Sequence, residues 1–239
     1  MSAVFLTTRG LDYSEIFTLE SVVLLSISLV EVPSGVWADK VDRKAPIILG
    51  LALSAASNMI YALGQGFAWC AVSYSMSGFS IALLSGIFEA YVYESLGKNV
   101  DKLATGLFGF YRYLELISGV LASLCVSYLA HLDFSFPAYA TAIVSLIGFL
   151  FMRRLPSIPV DNRNHSTDTR SFLQDLTKGT GVSIRTPVLA FVSITSSASF
   201  VLFNAVYTLN QPLYEHTNLP MSYWGLLSSA ALILATVYS

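Results

Sequence analysis

Long apolar stretches separated by short polar turns run along the whole chain. Six of them have roughly the length, about 20 residues, at which a helix crosses the hydrocarbon core of a bilayer. A seventh is still apolar at the last residue. The predicted membrane helices are 15–37, 47–66, 69–95, 104–130, 135–152, 187–211 and 222–239. Residues 1–8 are apolar but too short to span a bilayer, and we interpret them as the end of a further helix whose beginning is missing.

Basic residues are concentrated in every second turn of this pattern. The segments 38–46, 96–103 and 153–186 hold eleven of the 13 Lys and Arg residues, whereas the intervening turns hold only Arg9. The remaining cation, Arg112, falls inside a predicted helix. Since the cytoplasmic loops of membrane proteins carry an excess of Lys and Arg, these three segments are predicted to face the cytoplasm.

Composition agrees with an all-α integral membrane protein. Of the 239 residues, 54% are hydrophobic and 12% are charged, and the charged share is about half of that in soluble domains. A soluble enzyme is therefore excluded, and the net charge of −2 leaves no basic surface for nucleic acid. Cys70 and Cys125 lie in apolar runs without partners at metal-ligand spacing, so they are interpreted as packing residues. No metal or cofactor is expected.

One long polar segment divides the chain into two groups of helices. We predict an N-terminal bundle over 1–153, a cytoplasmic linker over 154–186 and the start of a C-terminal bundle over 187–239. A weak internal repeat agrees with this division. A constant shift aligns Leu11 with Leu219, and each of them lies in a short turn that opens into an apolar stretch.

The turn after the first full helix carries a recognisable motif. It reads Gly-Val-Trp-Ala-Asp-Lys-Val-Asp-Arg-Lys over residues 35–44. This stretch resembles the signature loop of the major facilitator superfamily (MFS) of secondary transporters, in which a glycine is followed by an acidic residue and a group of cations. The matching residues are Gly35, Asp39, Lys40, Arg43 and Lys44. Asp42 stands where the family usually has glycine.

The resemblance implies a fold of twelve membrane helices in two bundles. About seven full or near-full helices are present, so the chain is expected to be truncated at both ends. It implies a transporter in the lipid bilayer of the cell membrane, in which Asp39 helps to lock the bundles together. A small-molecule substrate would cross the membrane by alternating access. Protons are the expected coupling ion, and export of a drug or metabolite is one expected activity. The segments 73–78 and 117–123 lack the Arg and Pro of drug–proton antiporter motifs.

Ionisable residues inside predicted helices are candidates for function, because each costs about 2.5–3.5 kcal/mol on insertion scales unless it finds a partner or a cavity. Glu89 lies about 9 Å and Arg112 about 12 Å from the cytoplasmic ends of consecutive helices, at 1.5 Å per residue. An ion pair between them is therefore predicted. Glu115, three residues beyond Arg112 on the same helix face, is a second candidate partner.

Three further residues complete the candidate set. Glu20 and Glu31 are eleven residues apart and share a helix face, and Pro33 is expected to kink the helix beside Glu31. Tyr93 ends a strip of small and polar residues that begins at Gly78, on one side of a single predicted helix. Two interpretations stay open for the charged residues. They form static ion pairs that orient helices, or they contact the substrate or the coupling proton.

Three alternatives to a working transporter follow from the same pattern. A membrane enzyme is disfavoured, since the sequence contains none of the common hydrolase or metalloprotease motifs. A seven-helix receptor fits the number of apolar stretches but explains neither the motif nor the repeat. A truncated, non-transporting fragment of an MFS protein is the third, because alternating access requires both bundles.

Overall fold

The computed structural model describes most of the first two thirds of the chain and scattered residues beyond it. The described residues are 2–40, 43–95, 100–157, 187, 188, 191, 195, 217, 223–227, 229 and 230. Within these ranges the side chains of a few helical residues lie outside the description, among them those of Asp39, Lys40 and Glu89.

The described residues from Ser2 to Ser157 lie in seven helices and the short segments beside them. The helices are α1 (Ser2–Thr8), α2 (Tyr13–Lys40), α3 (Lys44–Leu63), α4 (Phe67–Leu84), α5 (Ile87–Ser95), α6 (Val100–Leu132) and α7 (Phe136–Arg154). We call the end of the bundle at which α2 ends and α3 begins the loop end, and the opposite end the far end.

Five of these helices contain an apolar stretch long enough to cross a bilayer. The stretches are Tyr13–Gly35, Lys44–Leu63, Phe67–Leu84, Gly109–Leu132 and Phe136–Arg154. They correspond to the first five predicted membrane helices and confirm an all-α, multi-pass membrane protein. The predicted helices 187–211 and 222–239 lie largely outside the described residues.

The prediction of one continuous helix over 69–95 is wrong. The chain breaks between Leu84 and Ile87, where Gly86 has a φ of +70°. Residues with a Cβ atom rarely adopt this backbone conformation, whereas glycine adopts it without steric cost. The strip of small and polar residues predicted from Gly78 to Tyr93 is therefore divided between two helices, α4 and α5.

The predicted boundaries at the loop end also need correction. The segment predicted as the loop 38–46 is largely helical, since α2 continues to Lys40 and α3 begins at Lys44. Similarly, α6 begins at Val100, four residues before the predicted start. The reason is that hydropathy marks where a helix leaves the lipid, whereas the helix itself continues into the polar region. Pro33 lies within α2, and the helix continues past it to Lys40.

Small residues allow α2, α3 and α4 to approach closely. A Cβ atom added to Gly78 of α4 would lie 2.6 Å from the Cβ of Ser26 and 2.7 Å from the carbonyl oxygen of Val23, both on α2. A serine hydroxyl of α4 also bonds to α3. The Ser80 hydroxyl donates a hydrogen bond of 2.8 Å to the carbonyl oxygen of Gly50. Such contacts replace the hydrophobic driving force that helices lack inside lipid.

At the far end, Arg9 fastens the turn between α1 and α2 to the last turn of α3. Its guanidinium donates hydrogen bonds to the carbonyl oxygens of Tyr61 at 2.8 Å, Ala62 at 2.6 Å and Gly64. The guanidinium carbon also lies 4.0 Å from the centre of the Phe5 ring. Because the last carbonyls of a helix have no intrahelical donors, this side chain caps α3.

The close approach of α2 and α4 generates a test of packing. Substitution Gly78→Ala places a methyl group against Ser26 and Val23, and overpacking of this kind costs about 1–3 kcal/mol. We expect a lower midpoint of thermal unfolding, followed by circular dichroism in detergent. Gly109→Ala on α6 is the matched control, since its Cβ meets no described atom within 4 Å. An equal effect of both substitutions would contradict the packing.

The Arg9 cap generates a second prediction. Arg9→Lys keeps the charge but loses the planar fork that reaches several carbonyls, so we expect faster amide hydrogen exchange in the last turn of α3. One or two charge-assisted hydrogen bonds would be lost. Each contributes at most about 1.5–3 kcal/mol to the free energy of unfolding, because the site is partly exposed. Exchange in α7 serves as the internal control and is expected to stay unchanged.

Candidate functional site

The signature motif lies at the loop end, where it connects α2, α3 and α5. Arg43 directly precedes α3, and its guanidinium lies 3.0 Å from a carboxylate oxygen of Glu94 on α5. The exposed fractions of the two side chains are 20% and 35%, so water screens this ion pair only in part. The structure thus assigns Arg43 a partner on a helix distant in sequence.

Lys44, the next motif residue, contacts a different helix. Its ammonium group donates hydrogen bonds to the carbonyl oxygens of Arg153, at 3.2 Å, and Leu155, both at the end of α7. The Tyr91 hydroxyl of α5 donates to the carbonyl oxygen of Pro156 at 2.8 Å. Four helices therefore meet around the motif.

An apolar cluster lies next to these polar contacts. We call it the loop-end cluster, and its buried members are Ala38, Ile47, Ile87, Tyr91 and Met152. They come from α2, α3, α5 and α7, the helices that the motif connects. Packing of these side chains fixes the positions of the backbones from which Arg43, Lys44 and Tyr91 extend.

The rest of the predicted motif is only partly described. Gly35 lies on α2, and a Cβ there would meet no described atom within 4 Å, so the described contacts do not require glycine at this position. The side chains of Asp39 and Lys40 lie outside the described residues, as does all of Asp42. The role of Asp39 as a lock between bundles stays a prediction.

Inside the membrane, Arg112 pairs with Glu115. A guanidinium nitrogen of Arg112 lies 2.6 Å from a carboxylate oxygen of Glu115, and the exposed fractions of the side chains are 75% and 50%. The apolar part of α6 begins at Gly109, so Arg112 lies about 5 Å and Glu115 about 9 Å inside it at 1.5 Å per residue. The predicted depth of about 12 Å is counted from residue 104, and this depth stays a prediction.

The predicted pair of Glu89 and Arg112 involves a side chain outside the description, that of Glu89. Its backbone belongs to α5, and the ring of the preceding residue, Phe88, lies 5.9 Å from that of Tyr111 on α6. These rings place α5 and α6 side by side at this depth. The Glu89–Arg112 pair itself stays a prediction.

The other candidates lie elsewhere in the bundle. Glu20 is half-buried and Glu31 is exposed, both on α2, and Tyr93 on α5 is exposed. The carbonyl of Glu31 accepts a hydrogen bond of 2.9 Å from Ser34, whose hydroxyl also lies 3.2 Å from the carbonyl oxygen of Ala82 on α4. This part of α2 is therefore used for helix packing.

A contact missed from the sequence joins α6 to a segment of the predicted C-terminal bundle. The Ser123 and Ser229 hydroxyl oxygens lie 2.5 Å apart, and a Cβ added to Gly225 would lie 2.5 Å from the carbonyl oxygen of Ser123. The spacing of Gly225 and Ser229, two small residues four apart, was the available signal. Glu94 and Tyr91 were also missed as partners of the motif, since nothing in the sequence pairs them with it.

Metal-ligating side chains are not grouped in the part of the chain that the structure describes. No three His, Cys, Asp or Glu residues among the described ones are close enough to hold a metal ion.

Comparisons with known proteins agree with the motif. A family model described as Major Facilitator Superfamily matches residues 1–239. An uncharacterized MFS-type transporter of Bacillus subtilis (strain 168), YxaM, is 27% identical over 168 residues. The alignment covers 68% of this chain and 40% of the relative, so the matched region is less than half of that protein.

The partly buried ion pair at the loop end can be tested with a double-mutant cycle. Arg43→Ala and Glu94→Ala each remove one partner, and the double substitution removes both. Because both side chains are partly exposed, we expect a coupling energy of about 0.5–1 kcal/mol in the free energy of unfolding. Additive effects of the two substitutions would show that the pair contributes nothing to stability.

Proposed function

Since this chain belongs to the major facilitator superfamily, we propose that it takes part in secondary transport of a small solute by alternating access between two helical bundles. The superfamily consists of transporters rather than enzymes, so the expectation that the chain is not an enzyme is confirmed by the family match. The receptor interpretation is set aside by the same match.

The observation that carries this proposal is the set of contacts around the signature motif. Arg43 binds α5 and Lys44 binds the end of α7, so the motif connects helices rather than lying free in solvent. A purely topological role for these cations needs no such specific partners. The contacts support a part for the motif in holding one arrangement of helices. Under this proposal the protein lies in the cell membrane and its loop end faces the cytoplasm.

Arg112 and Glu115 are proposed as the site where a solute or a proton acts. The side chain of Arg112 is 75% exposed and that of Glu115 is 50% exposed although both lie in an apolar helical stretch, an arrangement that suits a water-filled cavity between bundles. In such a cavity, a proton on Glu115 would weaken this ion pair, and an anionic group of a solute could then compete for the guanidinium of Arg112. We further propose that Glu115 couples transport to protons and that the solute is exported.

Three roles proposed for the remaining candidates follow from their positions. Glu89 is a second carboxylate for Arg112, on the helix beside it. Glu20 and Glu31 are proposed as polar positions of α2, with a structural role favoured for Glu31 because of the packing of Ser34. Tyr93, an exposed residue of the helix that also carries Glu94, is proposed as a contact for the solute.

Reconstitution provides the test of transport. The purified chain is placed in liposomes with a pH-sensitive dye inside, a pH gradient is imposed, and organic cations, carboxylates and sugars are added in turn. We expect one class to change proton flux. Glu115→Gln is expected to abolish this solute-dependent proton flux while solute exchange without a gradient persists, because the amide cannot exchange a proton.

A matched control accompanies this experiment. Glu15→Gln alters a carboxylate at the far end of α2 that accepts a hydrogen bond of 3.0 Å from the backbone of Asp12, and it should leave coupling intact. Movement of no solute in any class would contradict transport and favour the non-transporting fragment. Unchanged proton coupling in Glu115→Gln would contradict the assignment of Glu115 alone.

A further inference from the structure

Two consecutive cations at the loop end bind two different helices. Arg43 forms its ion pair with Glu94 of α5, whereas the ammonium group of Lys44 donates to the carbonyl oxygens of Arg153 and Leu155 at the end of α7. Because the two residues are adjacent in the backbone, a displacement of one displaces the other. The start of α3 is thus attached on both sides.

The end of α7 has a physical need for this cation. The last carbonyls of a helix lack donors of their own and carry the negative end of the helix dipole. The amide of Leu155 closes the helix with a hydrogen bond of 3.2 Å to the carbonyl oxygen of Met152, but this leaves later carbonyls without intrahelical donors. Lys44 supplies both charge and donors there.

Tyr91 attaches the chain one residue further on. Its side chain is 6% exposed, its ring belongs to the loop-end cluster, and its hydroxyl donates to the carbonyl oxygen of Pro156 at 2.8 Å. Tyr91 lies three residues before Glu94 on α5, and residues at this spacing share a helix face. One face of α5 therefore contacts both the start of α3 and the residue two positions after α7.

We propose that Lys44 and Tyr91 form a joint that fastens Leu155 and Pro156 to the signature motif. The contacts close a ring, from α7 through Lys44 to Arg43, then through Glu94 and Tyr91 of α5 back to Pro156. Movement of the chain after Pro156 and movement of the α3–α5 contact are transmitted to each other through this ring. The device goes beyond the proposed transport function, since it requires neither a solute nor a proton.

The joint makes a prediction for Ser157, which is exposed directly after the attached residues. A nitroxide spin label is placed there by Ser157→Cys, after replacement of the native cysteines by Cys70→Ala and Cys125→Ser, in the full chain in lipid nanodiscs. We expect Lys44→Met and Tyr91→Phe each to shorten the rotational correlation time of the label at least about twofold. Lys44→Arg keeps a cation that can donate to the last carbonyls of α7, so the label is expected to move as slowly as in the parent protein.

Two controls keep this measurement specific. Arg154→Met removes a neighbouring cation of α7 and should leave the motion of the label unchanged. Amide hydrogen exchange at the far end of α3, around Gly64, is expected to match the parent protein in every variant. If Lys44→Met raises exchange there, Tyr91→Phe decides the outcome, since it removes only a hydroxyl and keeps the ring in the loop-end cluster.

Transmission is tested from the other side of the ring. Glu94→Gln weakens the Arg43 pair, and we expect it to speed the motion of the label on Ser157 through Lys44. Glu115→Gln weakens an ion pair of α6 that lies outside the ring and should not change the motion. Unchanged motion in Lys44→Met and Tyr91→Phe overturns the joint, and a response to Lys44→Met without one to Glu94→Gln overturns transmission. Because no flux is measured, failure here is distinguishable from failure of the transport proposal.

Discussion

Carbonyl groups at the ends of membrane helices must find donors outside their own helix, and this need organises both ends of the bundle. At the far end Arg9 donates to the last carbonyls of α3, and at the loop end Lys44 donates to those of α7. Each cation comes from a turn that is distant in sequence from the helix it caps. The two caps therefore connect helices as well as ending them.

Between these two ends, small residues and hydroxyls hold α2, α3 and α4 together. The approach at Gly78 and the hydrogen bond from Ser80 to Gly50 need short side chains on both helices. The break at Gly86 has a different consequence. It separates α5 from α4, so the direction of α5 is not determined by the axis of α4, and Tyr91 and Glu94 reach the signature motif from this separate helix.

The two ion pairs differ in what their surroundings allow. Arg43 and Glu94 are mostly covered and lie beside an apolar cluster, a setting that favours one fixed geometry. Arg112 and Glu115 lie within an apolar stretch of α6, but their side chains are 75% and 50% exposed, so a change of partner there requires little rearrangement of packing. This contrast is the basis for separating the helix-connecting contacts of the motif from the solute or proton role proposed for α6.

The apolar pattern alone predicted five membrane helices that the structure contains, because the cost of exposing polar backbone to lipid leaves a long apolar helix as the simplest solution. The same pattern placed Arg112 and Glu115 one turn apart, and the motif at 35–44 indicated the family. Hydropathy did not predict the break at Gly86, since an apolar stretch reads the same whether its helix is continuous or divided.

The partners of the motif were decided only by the tertiary structure. Arg43, Lys44 and Arg9 are visible in the sequence as cations near turns, but their acceptors are a carboxylate on α5 and backbone carbonyls of α7 and α3. Every helix ends in such carbonyls whatever its residues are, so the sequence does not show which helix end a cation binds. The sequence by itself therefore determined where the chain crosses the membrane and where its charges lie. Packing decided which helix end each charge binds, because only the folded bundle brings a given end within reach.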